Sequence, residues 1–64
     1  MSGAWWLIEA QGFSKDGKRL SKNILVDNAD VDAARIEAVI KAQRGGMELI
    51  RVGMVLPWTR PADA

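Results

Sequence analysis

The 64-residue sequence contains no cysteine and no histidine. This excludes disulfides, thiol nucleophiles, histidine-based catalytic triads and zinc sites built from those residue types. No apolar run approaches the roughly 18 residues that would cross a bilayer. Residues 1–10 also lack the basic start and cleavage pattern of a secretory signal. We therefore expect a cytoplasmic protein without a cofactor, a metal ion or a membrane partner.

Neither sign of charge is in large excess. Nine basic residues against eight acidic ones leave a net charge of +1, which supplies no global attraction toward nucleic acid or membrane. The hydrophobic share of 48% favours a globular domain over disorder. A single domain of this length, 1–64, lies near the lower limit for autonomous folding. Oligomerisation, a partner or very good packing would have to supply the missing stability, and residues 1–3 and 59–64 are expected to be frayed.

Two strands are predicted in the first half of the chain. The segment "AWWLIEA", Ala4 to Ala10, is short, aromatic and apolar, and "LSKNILVD", Leu20 to Asp27, alternates in the same way. Between them, "KDGK" is typical of a tight reversal. These features predict an antiparallel hairpin.

A helix is predicted for "DNADVDAARIEAVIKAQRGG". Asp27 or Asn28 is expected to cap its start, and Gly45 to take the left-handed position that ends it. Glu37 and Lys41, four residues apart, are expected to pair on its surface. The stripe expected to pack on the sheet consists of Ala29, Ala33, Ile36, Val39, Ile40 and Gln43.

The third strand is predicted for "MELIRVGMVLPW", Met47 to Trp58, with a bulge at Gly53. Pro57 indicates that the ladder ends there or that this strand is an edge strand. The strand is expected to lie either parallel to the strand before the crossover or antiparallel beside the first. The fold class is thus α+β, ββαβ, with a three-stranded sheet and one helix on one face.

One helix can cover only one face of this sheet. We assign to that side Trp6, Ile8, Ile24, Val26, Ile50, Val52 and Met54. The far side then carries a surplus apolar surface, and we predict a protein interface made of Trp5, Leu7, Leu25, Leu49, Val55 and Trp58. A surface rich in tryptophan is typical of a docking site for a protein partner or for a second copy in a homodimer. The alternative is a strongly twisted sheet whose termini fold over these tryptophans and complete a small core.

Catalysis is not expected. Asp27, Asp30 and Asp32 cluster at a helix start, where acids serve capping and dipole roles. Ser14 and Ser21 have no activating base in the pattern, and no phosphate-binding glycine loop is present. A chain this small also encloses a substrate pocket with difficulty, so neither a catalytic residue nor a small-molecule substrate is predicted.

Nucleic-acid binding is the alternative function. The segment "GFSKDGKRLSKN" concentrates cations and one aromatic ring: Phe13, Lys15, Lys18, Arg19 and Lys22. The cations would contact phosphates and the ring would stack on a base. Arg35, Arg44, Arg51 and Arg60 would extend this track if the fold gathers them.

The pattern of "ILVDNADVDAARIEAVIKAQRGGMELIRV", Ile24 to Val52, is a strand with an acidic turn, an Ala/Arg-rich helix and a strand. It resembles small phage-encoded ββαβ proteins that inhibit bacterial machinery, including anti-CRISPR proteins and an RNA-polymerase-binding inhibitor. More faintly, it is similar to amino-terminal modules of secretion-system membrane proteins. The resemblance implies a stoichiometric binder that acts by occluding a nucleic-acid-handling complex, and it transfers no site residue.

Overall fold

The computed structural model describes residues 4–59 and contains three strands and one helix. Strand β1 spans Trp5–Phe13, β2 spans Arg19–Asp27, helix α1 spans Val31–Arg44 and β3 spans Glu48–Trp58. The predicted α+β fold with ββαβ order is confirmed. The predicted fraying of residues 1–3 and 60–64 lies outside the described residues, and Thr59 follows the last strand as an exposed residue.

The sheet has the order β2-β1-β3, and both neighbours of the central strand β1 are antiparallel to it. Of the two arrangements predicted for the third strand, the one antiparallel beside the first is therefore observed. Strand β3 runs in the same direction as β2 but is separated from it by β1. Pro57 pairs with Trp6 on an edge strand, where a residue without an N–H group is tolerated.

The reversal between β1 and β2 is the tight turn that the sequence predicts. The Ser14 N–H donates to the Lys18 carbonyl at 2.7 Å, and the Gly17 N–H donates to the Ser14 carbonyl at 2.9 Å. Gly17 has a φ of 87°, a left-handed conformation that glycine adopts without steric strain. Strand β1 continues to Phe13, three residues beyond its predicted end.

The helix begins later than predicted, and Asp30 caps it instead of Asp27 or Asn28. The Asp30 carboxylate accepts from the Asp32 N–H at 3.0 Å, which satisfies a donor that the first turn leaves free. Asn28 acts one step earlier, since its side-chain oxygen accepts from the Asp30 N–H at 2.9 Å. The connection from β2 is thus ordered by two successive side-chain acceptors.

The helix ends at two glycines, but the second one takes the left-handed conformation. Gly46 has a φ of 97°, whereas the φ of Gly45 is −82°, so the prediction for Gly45 is wrong. The Met47 N–H donates to the Ala42 carbonyl and the Gly46 N–H to the Gln43 carbonyl. This pair of bonds is a Schellman motif, and it returns Met47 to the core beside Ala42.

The face that the helix turns toward the sheet differs from the predicted one. Its buried residues are Ala34, Ala38 and Ala42, and Ile36 and Ile40 are instead 62% and 40% exposed. The predicted stripe therefore lies on the outside of the helix, with Ala33 and Val39 half-buried at its borders, and Ala29 precedes the helix. Alanine at the buried positions lets the helix backbone approach a sheet that already supplies bulky side chains. The predicted pair of Glu37 and Lys41 is present at 3.6 Å.

The core lies between this alanine face and one side of the sheet. One cluster contains Ile8, Val26, Ala34 and Ala38, and a second contains Ala10, Ala42 and Met47. Partly buried side chains complete them: Trp6, Leu20, Ile24, Ile50, Val52 and Val55. Among residues 4–59, Ile8 and Val26 are the largest fully buried side chains, so the core is thin.

Strand β3 contains the bulge that Gly53 predicts. Ile8 pairs with Val55, but Ala10 pairs with Val52, so β3 has one residue more than β1 across this step. A second irregularity follows between the partners of Gln11 and Phe13, where Leu49 has a φ of 52°. The first bulge reverses the expected sides, because Val55 packs against the core and Met54 is exposed. The predictions of Met54 on the helix side and Val55 on the far side are therefore wrong.

Candidate functional site

The side of the sheet away from the helix, here called the far face, is formed by alternate residues of the three strands. The β1 residues Trp6, Ile8 and Ala10 point toward the helix, so the residues between them point away. Cross-strand partners share a face, which assigns the β2 and β3 residues. The far face thus includes Trp5, Leu7, Glu9, Gln11, Phe13, Arg19, Ser21, Asn23, Leu25, Asp27, Glu48, Arg51, Leu56 and Trp58.

One half of the far face, the apolar end, is centred on two tryptophans. Trp5 and Trp58 are cross-strand partners whose ring centroids lie 6.0 Å apart at an interplanar angle of 68°. This edge-to-face geometry is favourable for aromatic rings. Leu7 lies two residues further along β1 and pairs with Leu25 on one side and Leu56 on the other. Both indoles remain half-buried in the monomer.

A groove of about 280 Å³ continues the apolar end toward the middle of the sheet. It is lined by Leu7, Glu9, Asn23, Met54 and Leu56. Met54 is 59% exposed and Leu56 is 45% exposed, although both are large and apolar. The bulge at Gly53 brings Met54 to this position, so a local irregularity enlarges the apolar surface.

Four of the six predicted interface residues are brought together at the apolar end: Trp5, Leu7, Leu25 and Trp58. Val55 belongs to the core side, as described above. Leu49 is 80% exposed but lines a different groove at the opposite end of the sheet. Met54 and Leu56 were not predicted here, although the predicted bulge contained the signal that places them.

The other half of the far face, the basic end, carries a groove of about 300 Å³. Phe13 pairs with Arg19 on β2, and Gln11 pairs with Arg51 on β3. Both guanidinium-bearing residues line this groove, together with Ser21. Two arginines and a half-buried ring make this end suited to carboxylates or other planar anions.

Glu9 lies between the two ends and lines both grooves. Its Oε2 accepts from the Ser21 hydroxyl at 3.1 Å, and its Oε1 accepts from the Met54 N–H at 3.4 Å. The second bond satisfies a backbone donor that the bulge removes from the ladder. Glu9 therefore ties the central strand to both edge strands.

The residues predicted for nucleic-acid contact do not form one surface. Lys15 and Lys18 are exposed at the hairpin turn, and Phe13 and Arg19 lie on the far face. Lys22 pairs with Ala10 on the helix side, where its Nζ would lie 3.3 Å from a Cβ placed on Gly45. A cation at this helix end interacts favourably with the helix dipole.

The arginines expected to extend the basic track are also divided. Arg51 joins Phe13 and Arg19 at the basic end, whereas Arg35 and Arg44 lie on α1. Arg60 is outside the described residues. The basic surface that the fold does assemble is thus a short one around Arg19 and Arg51.

Within residues 4–59, no three acidic side chains lie close enough to hold a metal ion. The helix of this part of the chain is too short and too polar to cross a membrane.

Comparison with protein-family models, curated proteins and solved structures finds no significant match for this chain.

Proposed function

We propose that the chain is a non-enzymatic protein–protein interaction module that docks on a partner through the apolar end of the far face. The observation that supports this proposal most directly is the distribution of large apolar side chains. Leu25, Met54 and Leu56 are exposed beside the Trp5–Trp58 pair. The burial of such a surface is the main favourable term in protein association, and aromatic anchors concentrate in interfaces.

The charges of the far face describe the partner. Arg19 and Arg51 lie at one end, where Glu48 is also located. The hydrogen-bonded Glu9 separates this end from the apolar end, which carries Asp27. A complementary partner has an apolar patch bordered, on the side of the two arginines, by carboxylates that these arginines would bind. Arginine forms paired hydrogen bonds with a carboxylate in this setting, and this fixes the orientation of the partner.

A second copy fits the far face poorly. A two-fold axis along β1 would exchange the two edge strands and bring Arg19 of each copy close to Arg51 of the other. A two-fold axis across the strands would place Leu7 on Gln11 and bring Glu9 against its own copy. Like charges in contact oppose association, so the proposed occupant of the far face is a different protein.

The polar groups considered for chemistry have structural partners, which supports a binding role. The Ser21 hydroxyl donates to Glu9, and the Ser14 hydroxyl donates to Asp16 within the exposed turn. Asp30 caps the helix. A binder that acts by occlusion needs no activated nucleophile.

The resemblance to phage-encoded inhibitors favours a partner within a bacterial nucleic-acid-handling complex in the cytoplasm, which the module would block by covering its surface. This part of the proposal is supported by the sequence pattern over Ile24 to Val52.

Pull-down from a bacterial lysate, with and without nuclease, tests the proposal. The wild type is compared with the Leu25→Ser/Leu56→Ser variant, which changes two exposed side chains, and with Ile36→Ser on the opposite side of the molecule. We expect a protein that nuclease does not remove, that the double variant loses, and that Ile36→Ser retains. Circular dichroism and thermal melts verify that all three are folded.

Capture that persists in the double variant would contradict the proposal. Capture that nuclease abolishes would favour the nucleic-acid alternative. That alternative predicts a mobility shift of single-stranded or duplex probes with a steep salt dependence, lost in Lys18→Ala/Arg19→Ala.

A further inference from the structure

The outward side of α1 carries a second apolar surface, here called the outer stripe: Ala33, Ile36, Ile40 and Gln43. At about 100° per residue, it lies on the side of the helix opposite the buried alanines Ala34, Ala38 and Ala42. Ile36 is 62% exposed and Ile40 is 40% exposed. The bulkier aliphatic residues of the helix therefore face outward, and those that face the core are small.

The spacing of the outer stripe is that of a coiled-coil seam. Its members follow one another at intervals of three, four and three residues, which is the alternation of a and d positions in a heptad. Such a seam meets the equivalent seam of a second helix. Gln43 is the polar member and lies at the end of the stripe.

The outer stripe is also symmetric along the helix. Ile36 and Ile40 each lie two residues from Ala38, and Asp32 and Arg44 each lie six residues from it. If a second helix runs antiparallel along the outer stripe, with the two-fold axis at the level of Ala38 along the helix, Ile36 of each copy contacts Ile40 of the other. Ala33 then lies opposite Gln43 at both ends.

The charges favour this orientation over a parallel one. The helix begins with Asp30 and Asp32, and its last turn contains Lys41 and Arg44. Antiparallel pairing places the acidic start of each helix beside the basic end of the other, and it opposes the two helix dipoles. Parallel pairing would bring like charges together at both ends.

We infer that two copies of the chain associate through the outer stripe as an antiparallel helix pair. The interface is small, because each helix contributes two large apolar side chains, and it falls below the roughly 1,200 Å² of stable complexes. A weak and concentration-dependent dimer is expected. The outer stripe and the far face lie on opposite sides of the molecule, so this inference does not depend on the proposed function. The dimer would present two far faces and bind a repeated partner with increased avidity.

Sedimentation velocity from about 10 µM to 1 mM tests the association, in the range where weak interfaces form. We expect the wild-type sedimentation coefficient to rise with concentration. The Kd of Ile36→Ser/Ile40→Ser should be at least about tenfold higher, because each copy loses both of its large apolar side chains at the interface. Leu25→Ser/Leu56→Ser, which also replaces two large aliphatic side chains by serine but on the far face, should associate like the wild type. A wild type that stays monomeric throughout overturns the inference, as does a dimer that only the far-face variant weakens.

The absence of cysteine permits a direct test of orientation. Ala33→Cys and Gln43→Cys are made separately, mixed and oxidised, and the disulfide-linked dimers are identified by mass spectrometry. Antiparallel pairing brings position 33 beside position 43 of the other copy and separates identical positions by about 15 Å. We therefore expect mixed dimers to predominate. Predominance of dimers linked through identical positions would overturn the antiparallel arrangement.

Discussion

Gly12 and Met47 are in such close contact that no side chain fits between them. A Cβ placed on Gly12 would lie 2.6 Å from Cγ of Met47 and 2.6 Å from the carbonyl oxygen of Glu48. This contact occurs where β3 starts beside the central strand, next to the second bulge. The chain can return from the helix to the sheet within a few residues because position 12 has no side chain.

Gly12→Ala is therefore expected to lower the free energy of unfolding by about 2 kcal/mol or more, since a backbone oxygen cannot move aside as a side chain can. Urea denaturation monitored by tryptophan fluorescence measures the change. Gly53→Ala is the control: its Cβ would lie 2.6 Å from Oε1 of Glu9, and this side chain can rotate away at the cost of its long, 3.4 Å bond from the Met54 N–H. We expect a loss below about 1 kcal/mol there, and equal losses at both positions would contradict this explanation.

The order and type of the elements could be predicted from the sequence. The face of the sheet that each β3 residue occupies could not. Strict alternation assigns Met54 to the core and Val55 to the far face, and the extra residue at Gly53 reverses both. A glycine signals a bulge, but the residue at which the register changes depends on the pairing with β1. That pairing is a tertiary property, so the same sequence is compatible with either assignment.

The helix phase could not be predicted for a related reason. Alanines and isoleucines produce two apolar stripes on opposite sides of α1, and size alone favours the one with Ile36 and Ile40. The sheet already supplies Ile8 and Val26, so the space under the helix accepts only small side chains. Complementarity between two elements decided which stripe was buried, and no single segment contains that information.

Ala38→Leu tests this helix phase. Ala38 lies on the side of α1 that faces the sheet and is fully buried. The added volume of leucine should reduce the free energy of unfolding by about 2 kcal/mol. Ile36→Ala shortens a large side chain on the exposed side of the helix. It should change the free energy of unfolding by less than about 0.5 kcal/mol. Thermal and urea unfolding of both variants, at concentrations where the chain is monomeric, provide the comparison. A larger loss for Ile36→Ala would mean that the predicted stripe is the buried one.

Trp6 differs from the other described tryptophans in its hydrogen bond. Its indole Nε1 donates to the carbonyl of Asn28 at 2.9 Å, which ties the central strand to the connection before the helix. Trp6→Phe is expected to cost about 1–2 kcal/mol of unfolding free energy, because a partly buried acceptor loses its donor along with some packing. Trp5→Phe, on the far face, should cost less than about 1 kcal/mol. Equal losses in urea titrations would show that the Asn28 bond contributes nothing.

The two glycines at the end of α1 give opposite expectations for the same substitution. Gly46 has a φ of 97°, and a Cβ placed on it would meet no atom within 4 Å, so Gly46→Ala should cost about 1 kcal/mol through backbone strain alone. Gly45 has a φ of −82°, which alanine adopts readily. Its nearest neighbour is the movable Nζ of Lys22, so Gly45→Ala should be neutral or slightly stabilising. Differential scanning calorimetry distinguishes the two, and a reversed order would place the left-handed residue at Gly45.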